Sequence, residues 1–158
     1  MNIYQGHEFV DLGLPSGTLW AICNVGANTP EDYGDYYSWD KCKTAAANWG
    51  DGWCTPSNEQ WKELMHCTKQ TWTTRNGVNG RLFTALNGNS LFLPAAGRRW
   101  DEKLHDAGSV GNYWTSSPNP GRPCSARDIY FDSENYDMGA SGREGGFTVR
   151  PVRSSLQN

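Results

Sequence analysis

Gly80-Arg81-Leu82-Phe83-Thr84-Ala85-Leu86, Asn87-Gly88-Asn89, Ser90-Leu91-Phe92-Leu93-Pro94 is the stretch whose reading decides the fold class. Two runs rich in apolar residues flank an Asn-Gly pair, and Asn and Gly tolerate the positive φ that a tight hairpin turn demands. The spacing predicts an antiparallel hairpin. On its C-terminal side, further short strands are expected at Asn112 to Ser116, Arg127 to Asp132 and Phe147 to Val152. The last of these alternates strictly in polarity, as a strand with one buried face does. On its N-terminal side the period changes. Ser57-Asn58-Glu59-Gln60 has the form of a capping box, and Trp61, Leu64, Met65 and Thr68 follow on one helical face. Upstream, Asp40 is placed to cap a helix whose Cys42, Ala45, Ala46 and Trp49 fall at i, i+3, i+4 and i+7. Both stripes read as core packing. Phe9 to Leu14 and Thr18 to Val25 read as strands joined at Pro15-Ser16-Gly17. Two helices in the first half and an antiparallel sheet mostly in the second give an expected α+β architecture. Residues 1–158 show no repeat, linker or low-complexity segment, so a single domain is expected.

Composition narrows the function. A chain of 158 residues buries roughly 68–70% of its unfolded surface. Eight Trp and 18 Gly predict a core of large rings and many turns. The net charge of −3 argues against a nucleic-acid partner, because phosphate binding relies on a basic surface. The apolar runs are too short to insert in a bilayer. Met1-Asn2-Ile3-Tyr4-Gln5-Gly6 has neither a basic start nor an apolar run, so it is not expected to serve as a signal peptide. Five cysteines, Cys23, Cys42, Cys54, Cys67 and Cys124, are an odd number without a Cys-x-x-Cys spacing. Buried reduced thiols are the default reading, and one disulfide stays open.

The segment Gly111 to Gly146 has a different texture. Of its 36 residues, 17 are Gly, Ser, Asn or Tyr and three are Arg. Aromatic rings give rigid contact area at low entropic cost, while Ser, Gly and Asn give adaptable hydrogen bonds, the mixture found in binding loops. On composition alone an ordinary long surface loop fits equally well. Arg98, Arg99, Trp100 and Asp101 follow the hairpin, and the charged neighbours of Trp100 place its ring at the surface as an anchor.

Several strings together resemble a known family. They are Val10-Asp11-Leu12-Gly13-Leu14-Pro15-Ser16-Gly17-Thr18-Leu19-Trp20-Ala21, Cys23-Asn24-Val25-Gly26-Ala27, Tyr33-Gly34-Asp35-Tyr36-Tyr37 and Thr71-Trp72-Thr73. Asn87-Gly88-Asn89-Ser90-Leu91-Phe92-Leu93-Pro94-Ala95-Ala96-Gly97, Tyr113-Trp114-Thr115-Ser116-Ser117 and Val149-Arg150-Pro151-Val152 complete them. Over nearly the whole chain they resemble the Fibrobacter succinogenes major paralogous domain, which is similar to the C-type-lectin-like fold. The resemblance implies two helices flanking a small, mostly antiparallel sheet, with paired terminal strands and a binding face in the C-terminal half. One departure stands out. The family usually carries an Arg after the Trp of Trp53-Cys54-Thr55-Pro56, so a buried Arg network at that place is in doubt.

A narrower resemblance is to variable proteins of diversity-generating retroelements, which include phage tail-tip receptor binders and gut-bacterial surface proteins. Their adenine-rich codons scatter Asn, Tyr and Ser into Asp, Gly, Arg and others. It implies a ligand-binding set of Asn119, Arg122, Arg127, Asp128, Tyr130, Asp132, Glu134, Asn135, Tyr136, Asp137, Ser141 and Arg143, to which Arg98, Trp100 and Asp101 are added. Ile129 and Phe131 keep the inward alternation that holds register.

No catalytic, metal or cofactor residue is assigned. Ser117-Pro118-Asn119 and Trp114-Thr115-Ser116 lack the acids of a calcium–sugar site. His7, His66 and His105 are scattered, which gives an iron triad little support. Three functions remain open. The first is a non-enzymatic recognition module binding a protein or glycan on another cell, placed extracellularly, on a cell surface or on a virion, and carried by a homo-oligomer or fibre. The second is an oxidoreductase of the formylglycine-generating type, for which Cys54 and Cys124 are the candidate pair. The third is a structural surface or fibre subunit without a specific ligand.

Overall fold

Three short strands open the chain, β1 (Ile3–Tyr4), β2 (His7–Val10) and β3 (Leu19–Ala21), and two helices follow, α1 (Trp39–Ala47) and α2 (Asn58–Cys67). The long strands β4 (Thr68–Arg75) and β5 (Val78–Ala85) precede β6 (Ser90–Pro94) and the short β7 (Arg98–Trp100) and β8 (Lys103–His105). The last are β9 (Gly111–Pro118), β10 (Ser125–Phe131), β11 (Tyr136–Gly142) and β12 (Val152–Arg153). The structure is a computed structural model and describes residues 2–154.

The expected α+β arrangement, a C-type-lectin-like pair of helices flanking one small sheet, is overturned. Among the described residues, 43% are strand and 12% helix, and the strands form four separate sheets. Their orders are β1-β2-β3-β12, β4-β5-β6, β11-β10-β9 and β7-β8. The helices serve different cores. Trp61 and Leu64 of α2 join Trp20, Phe83, Leu91, Leu93, Tyr113, Ile129 and Phe131. Trp39, Cys42, Ala45 and Ala46 of α1 join Trp114, Ala126, Phe147 and Val149 instead. The physical reason for the difference lies in β4 and β11. Thr-, Ser- and Gly-rich sequence hides their alternation, yet each pairs over its full length, Thr68 opposite Ala85 and Tyr136 opposite Phe131. The terminal segments meet in one sheet, but the strand that pairs β12 is β3, with Val152 opposite Trp20.

The quoted hairpin forms as β5 and β6, with Phe83 opposite Leu91 and Arg81 opposite Leu93. Its connection is Leu86 to Asn89, longer than a two-residue turn, with Gly88 at φ +88°. The capping box of α2 also forms: Gln60 N–H donates to Ser57 Oγ at 3.1 Å, and Ser57 N–H donates to Gln60 Oε1 at 2.8 Å. In α1, Ser38 occupies the N-cap position and Asp40 sits inside the first turn, where its charge favours the helix dipole.

The segment after Gly146 departs most from its sequence pattern. Alternation predicts one buried face, whereas Thr148 and Arg150 are as buried as Phe147 and Val149. Arg150 lies in the interior with no accessible surface. Its Nε donates to Asn24 Oδ1 at 2.7 Å, and Nη1 donates to the carbonyls of Phe92 at 2.9 Å and Ala21 at 3.3 Å. Asn24 Nδ2 donates in turn to Tyr113 Oη at 3.1 Å, and that hydroxyl donates to the Pro94 carbonyl at 2.9 Å. Ala21, Phe92 and Tyr113 belong to three different sheets, so one guanidinium and one amide join them. Burial lowers the Arg150 pKa from its ordinary value, and the Tyr113 hydroxyl opposes that shift.

Arg150→Met keeps side-chain bulk but orphans the Asn24 oxygen and two buried carbonyls. The expected loss is about 3 kcal/mol or more of unfolding free energy, read from urea denaturation. A loss below about 1 kcal/mol would show that the network is not what joins the sheets.

Candidate functional site

The sheet β11-β10-β9 presents two unlike faces. Ile129 and Phe131 of β10, with Tyr113 of β9, point into the first core and are fully buried. Tyr113 and Phe131 stack with centroids 6.0 Å apart. Gly111 lies directly under the Phe131 ring, which leaves no room for a side chain at that position. The opposite face carries Asn112, Asp128, Tyr130, Asp137 and Ser141. The register sets Tyr130 between Asn112 and Asp137.

Asp128 does not face solvent. It is 3% exposed and accepts from Ser141 Oγ at 3.0 Å and from Asn112 Nδ2 at 3.2 Å. One carboxylate in the central strand thus holds both flanking strands. Burial pushes its pKa up to about 6, while the two hydrogen bonds and the Arg98 charge pull the other way. Arg98 donates from Nη1 to Asn112 Oδ1 at 3.3 Å and pairs with Asp106 at 2.9 Å. Tyr130 donates to Asp132 Oδ2 at 3.1 Å.

The turn between β10 and β11 is pinned from within. Asp132 Oδ1 accepts from the N–H groups of Glu134 at 2.8 Å and Asn135 at 2.7 Å, and these bonds hold its carboxyl below the usual range. Arg81 reaches out of β5 and donates through Nη2 to the carbonyls of Asp132 at 2.8 Å and Asn135 at 2.9 Å. Asp132 and Asn135 therefore shape the turn, and Glu134 stands exposed at its tip.

Tyr136, expected as an exposed anchor, faces inward. Its ring sits edge-on to Phe83 at 5.7 Å and its hydroxyl lies 3.4 Å from the Trp61 carbonyl it donates to. Being opposite Phe131 puts it on the inner face, and burial drives its pKa strongly upward. Trp100 also packs inward in part, edge-on to Phe147 at 6.2 Å and against Gly145. Charged neighbours in sequence do not expose its ring, because β7 bridges back to Gly146. Asp101 is exposed in the β7–β8 turn, where both Asp101 and Glu102 hold positive φ, +51° and +64°.

The remaining candidates lie apart from this face. Asn119 closes the β9–β10 loop by donating to Ser125 Oγ at 3.0 Å, and Arg122 is exposed on the same loop. Arg127 sits at the bulge in β10, half-buried. Arg143 lies over the Trp39 ring, 4.4 Å from its centroid, at the far end of β11. Asp137 is exposed. The structure thus gathers Arg98, Asp128, Tyr130, Asp132, Asp137 and Ser141, with Asn112 and Asp106 added. It leaves Asn119, Arg122 and Arg143 at other edges.

Sequence reasoning missed Asn112 and Asp106, whose roles depend on pairings distant in the chain. It also missed a recess of about 480 Å³ lined by Asp35, Tyr36, Tyr37 and Arg99, where the Arg99 guanidinium lies 5.5 Å from the Tyr36 ring centroid. All five cysteines are free, so Cys54 and Cys124 are not bonded to each other. Among the described residues, no three His, Cys, Asp or Glu are grouped to hold a metal ion. Likewise among these residues, no helix is long and apolar enough to cross a membrane.

The raised Asp128 pKa has a definite sign. A carboxyl whose folded pKa lies above its ordinary 3.8 favours the native state when protonated. That contribution is complete below about pH 4 and is lost as pH rises through about 6. The wild type should therefore lose up to about 3 kcal/mol relative to Asp128→Asn between those limits, measured by urea unfolding at stepped pH. A difference that stays constant with pH would contradict a buried ionising Asp128.

Compared with protein-family models, curated proteins and solved structures, the chain finds no match, so the reading of this surface rests on its geometry.

Proposed function

We propose that this domain is a non-enzymatic recognition module that displays exchangeable side chains from its C-terminal strands and turns. The observation that carries this reading is the division of labour within one sheet. Residues with fixed contacts (Ile129, Phe131, Tyr136, Asp128) face inward or are locked, while Glu134 and Asp137 are exposed and Tyr130, half-buried, feels the charges of the Arg98–Asp106 pair. Arg81 and Asp132 hold the turn through main-chain atoms, so side chains at its tip are free to vary without loss of the turn. This supports a receptor-binding or surface protein of a phage or gut bacterium, diversified by a retroelement and acting outside the cell or on a virion. Its ligand is a protein or glycan on another cell surface. A phenol ring between carboxylate and guanidinium groups suits either, through stacking and directional hydrogen bonds. A homo-oligomer or fibre carrying several copies raises weak single-site affinity through effective concentration.

Binding to arrayed glycans and cell-surface proteins tests the reading. A ligand found with the wild type should be lost roughly tenfold or more in Tyr130→Ala and in Asp137→Arg, because surface anchors dominate recognition. Equal binding by both variants, with their folds intact, would remove this face as the site.

A further inference from the structure

Away from that surface, Leu86 is fully exposed at the β5–β6 connection, an unusual position for a large aliphatic side chain. It stands at the edge of a groove of about 740 Å³ with Leu12, Leu14 and Ala85 among its lining residues, all three belonging to the first core. The chain before Pro15 forms one side, and the end of α2 with the start of β4 forms another. The connection that carries Leu86 is anchored on its C-terminal side. The side-chain amides of Asn87 and Asn89 both donate to the Asp11 carbonyl, at 3.0 Å and 2.8 Å, tying the connection to the neighbouring loop.

Lys69 and Asp11 beside the groove have no ion partner among the described residues, the Asp11 carboxylate accepting from the Gly13 N–H at 2.9 Å. Lys69 lines the groove on the strand side, and Asp11 stands exposed where the loop enters on the other side. A projecting Leu86, the apolar hollow beside it, the Lys69 cation and the Asp11 carboxylate thus occupy a single patch, with His66 also on the groove wall. A surface that carries both halves of each complementary pair is what a two-fold contact requires, since each residue i must meet a residue j and each j an i.

We infer that this face binds a second copy of the same chain about a two-fold axis. Leu86 of each copy enters the groove of the other, against Leu12, Leu14 and Ala85. Lys69 of each copy meets Asp11 of the other at the rim. The apolar insertion supplies the affinity, and the two rim pairs set orientation and exclude other pairings. This contact is independent of the recognition face and leaves Tyr130 and Asp137 of both copies uninvolved.

Sedimentation velocity over a range of concentrations tests the inference, with circular dichroism confirming the fold of each variant. The wild type should form a reversible dimer, and Leu86→Asp or the milder Leu86→Ser should raise its dissociation constant roughly tenfold or more. Asp11→Lys and Lys69→Glu should each weaken self-association. Mixed in equal amounts, those two variants should associate with each other, because every cross-pair is again of opposite sign. A wild type that stays monomeric at every concentration would overturn the inference. So would a dimer indifferent to all these substitutions, or a mixture that fails to associate. A monomer whose groove instead takes up an apolar fluorophore, displaced on Leu86→Asp substitution, would assign the groove to a small apolar ligand.

Discussion

The Arg150 guanidinium, fully buried and with no carboxylate paired to it among the described residues, is the constraint on which the rest of the structure depends. Burying a cation is costly, and the cost is met only where fixed dipoles replace the lost hydration. Here they are the Asn24 amide oxygen and the carbonyls of Ala21 and Phe92. Because those acceptors come from separate parts of the chain, Nε and Nη1 find their partners only when the first and second sheets are assembled together. The Asn24–Tyr113 bond carries the link to the third, while Nη2 is buried without a partner among the described residues. Sheets this small are stable only when their apolar faces are packed against other elements. Shared polar satisfaction, added to a core of Trp20, Trp61, Tyr113, Phe83 and Phe131, makes them interdependent.

The same device recurs closer to the surface. Arg81 satisfies two turn carbonyls from below, and Asp128 collects donors from the strands on either side of its own. Arg81 uses main-chain atoms and Asp128 the side chains of Asn112 and Ser141, which leaves Tyr130, Glu134 and Asp137 with few structural duties. A binding surface built this way can change chemistry at Tyr130, Glu134 or Asp137 while the supports stay in place. It also carries a cost, since Asp128 is held ionised at neutral pH in a site that favours its protonated form.

How much of this was legible in the chain depends on how local each signal is. The hairpin around Asn87-Gly88 and the capping box at Ser57 and Gln60 are set by residues within a few positions of each other, and both appear. The division into four sheets is not local, because β3 pairs with residues more than 130 positions away. Strands β4 and β11 are held by backbone ladders beneath Thr, Ser and Gly side chains, which give weak alternation. Arg150 sits on the polar half of a period-two pattern and so read as solvent-facing. Only the carbonyl ends of distant strands make its burial tolerable. The facing of Tyr136 has a local cause. A turn over Asp132-Ser133-Glu134-Asn135 sets Tyr136 opposite Phe131 and so on the inner face. Asp128 gives no such local signal, since its parity matches Tyr130, and the bonds from Ser141 and Asn112 that set it apart come from the flanking strands.

The central claim is that outward positions vary freely over a frame held from inside. It is tested most directly by randomising Arg122, Tyr130, Glu134 and Asp137 together, displaying the library, and counting the variants that resist protease. The account predicts that most members stay folded, as the wild type does. A library in which most members are cleaved would contradict it, because those side chains would then be part of what holds the molecule together.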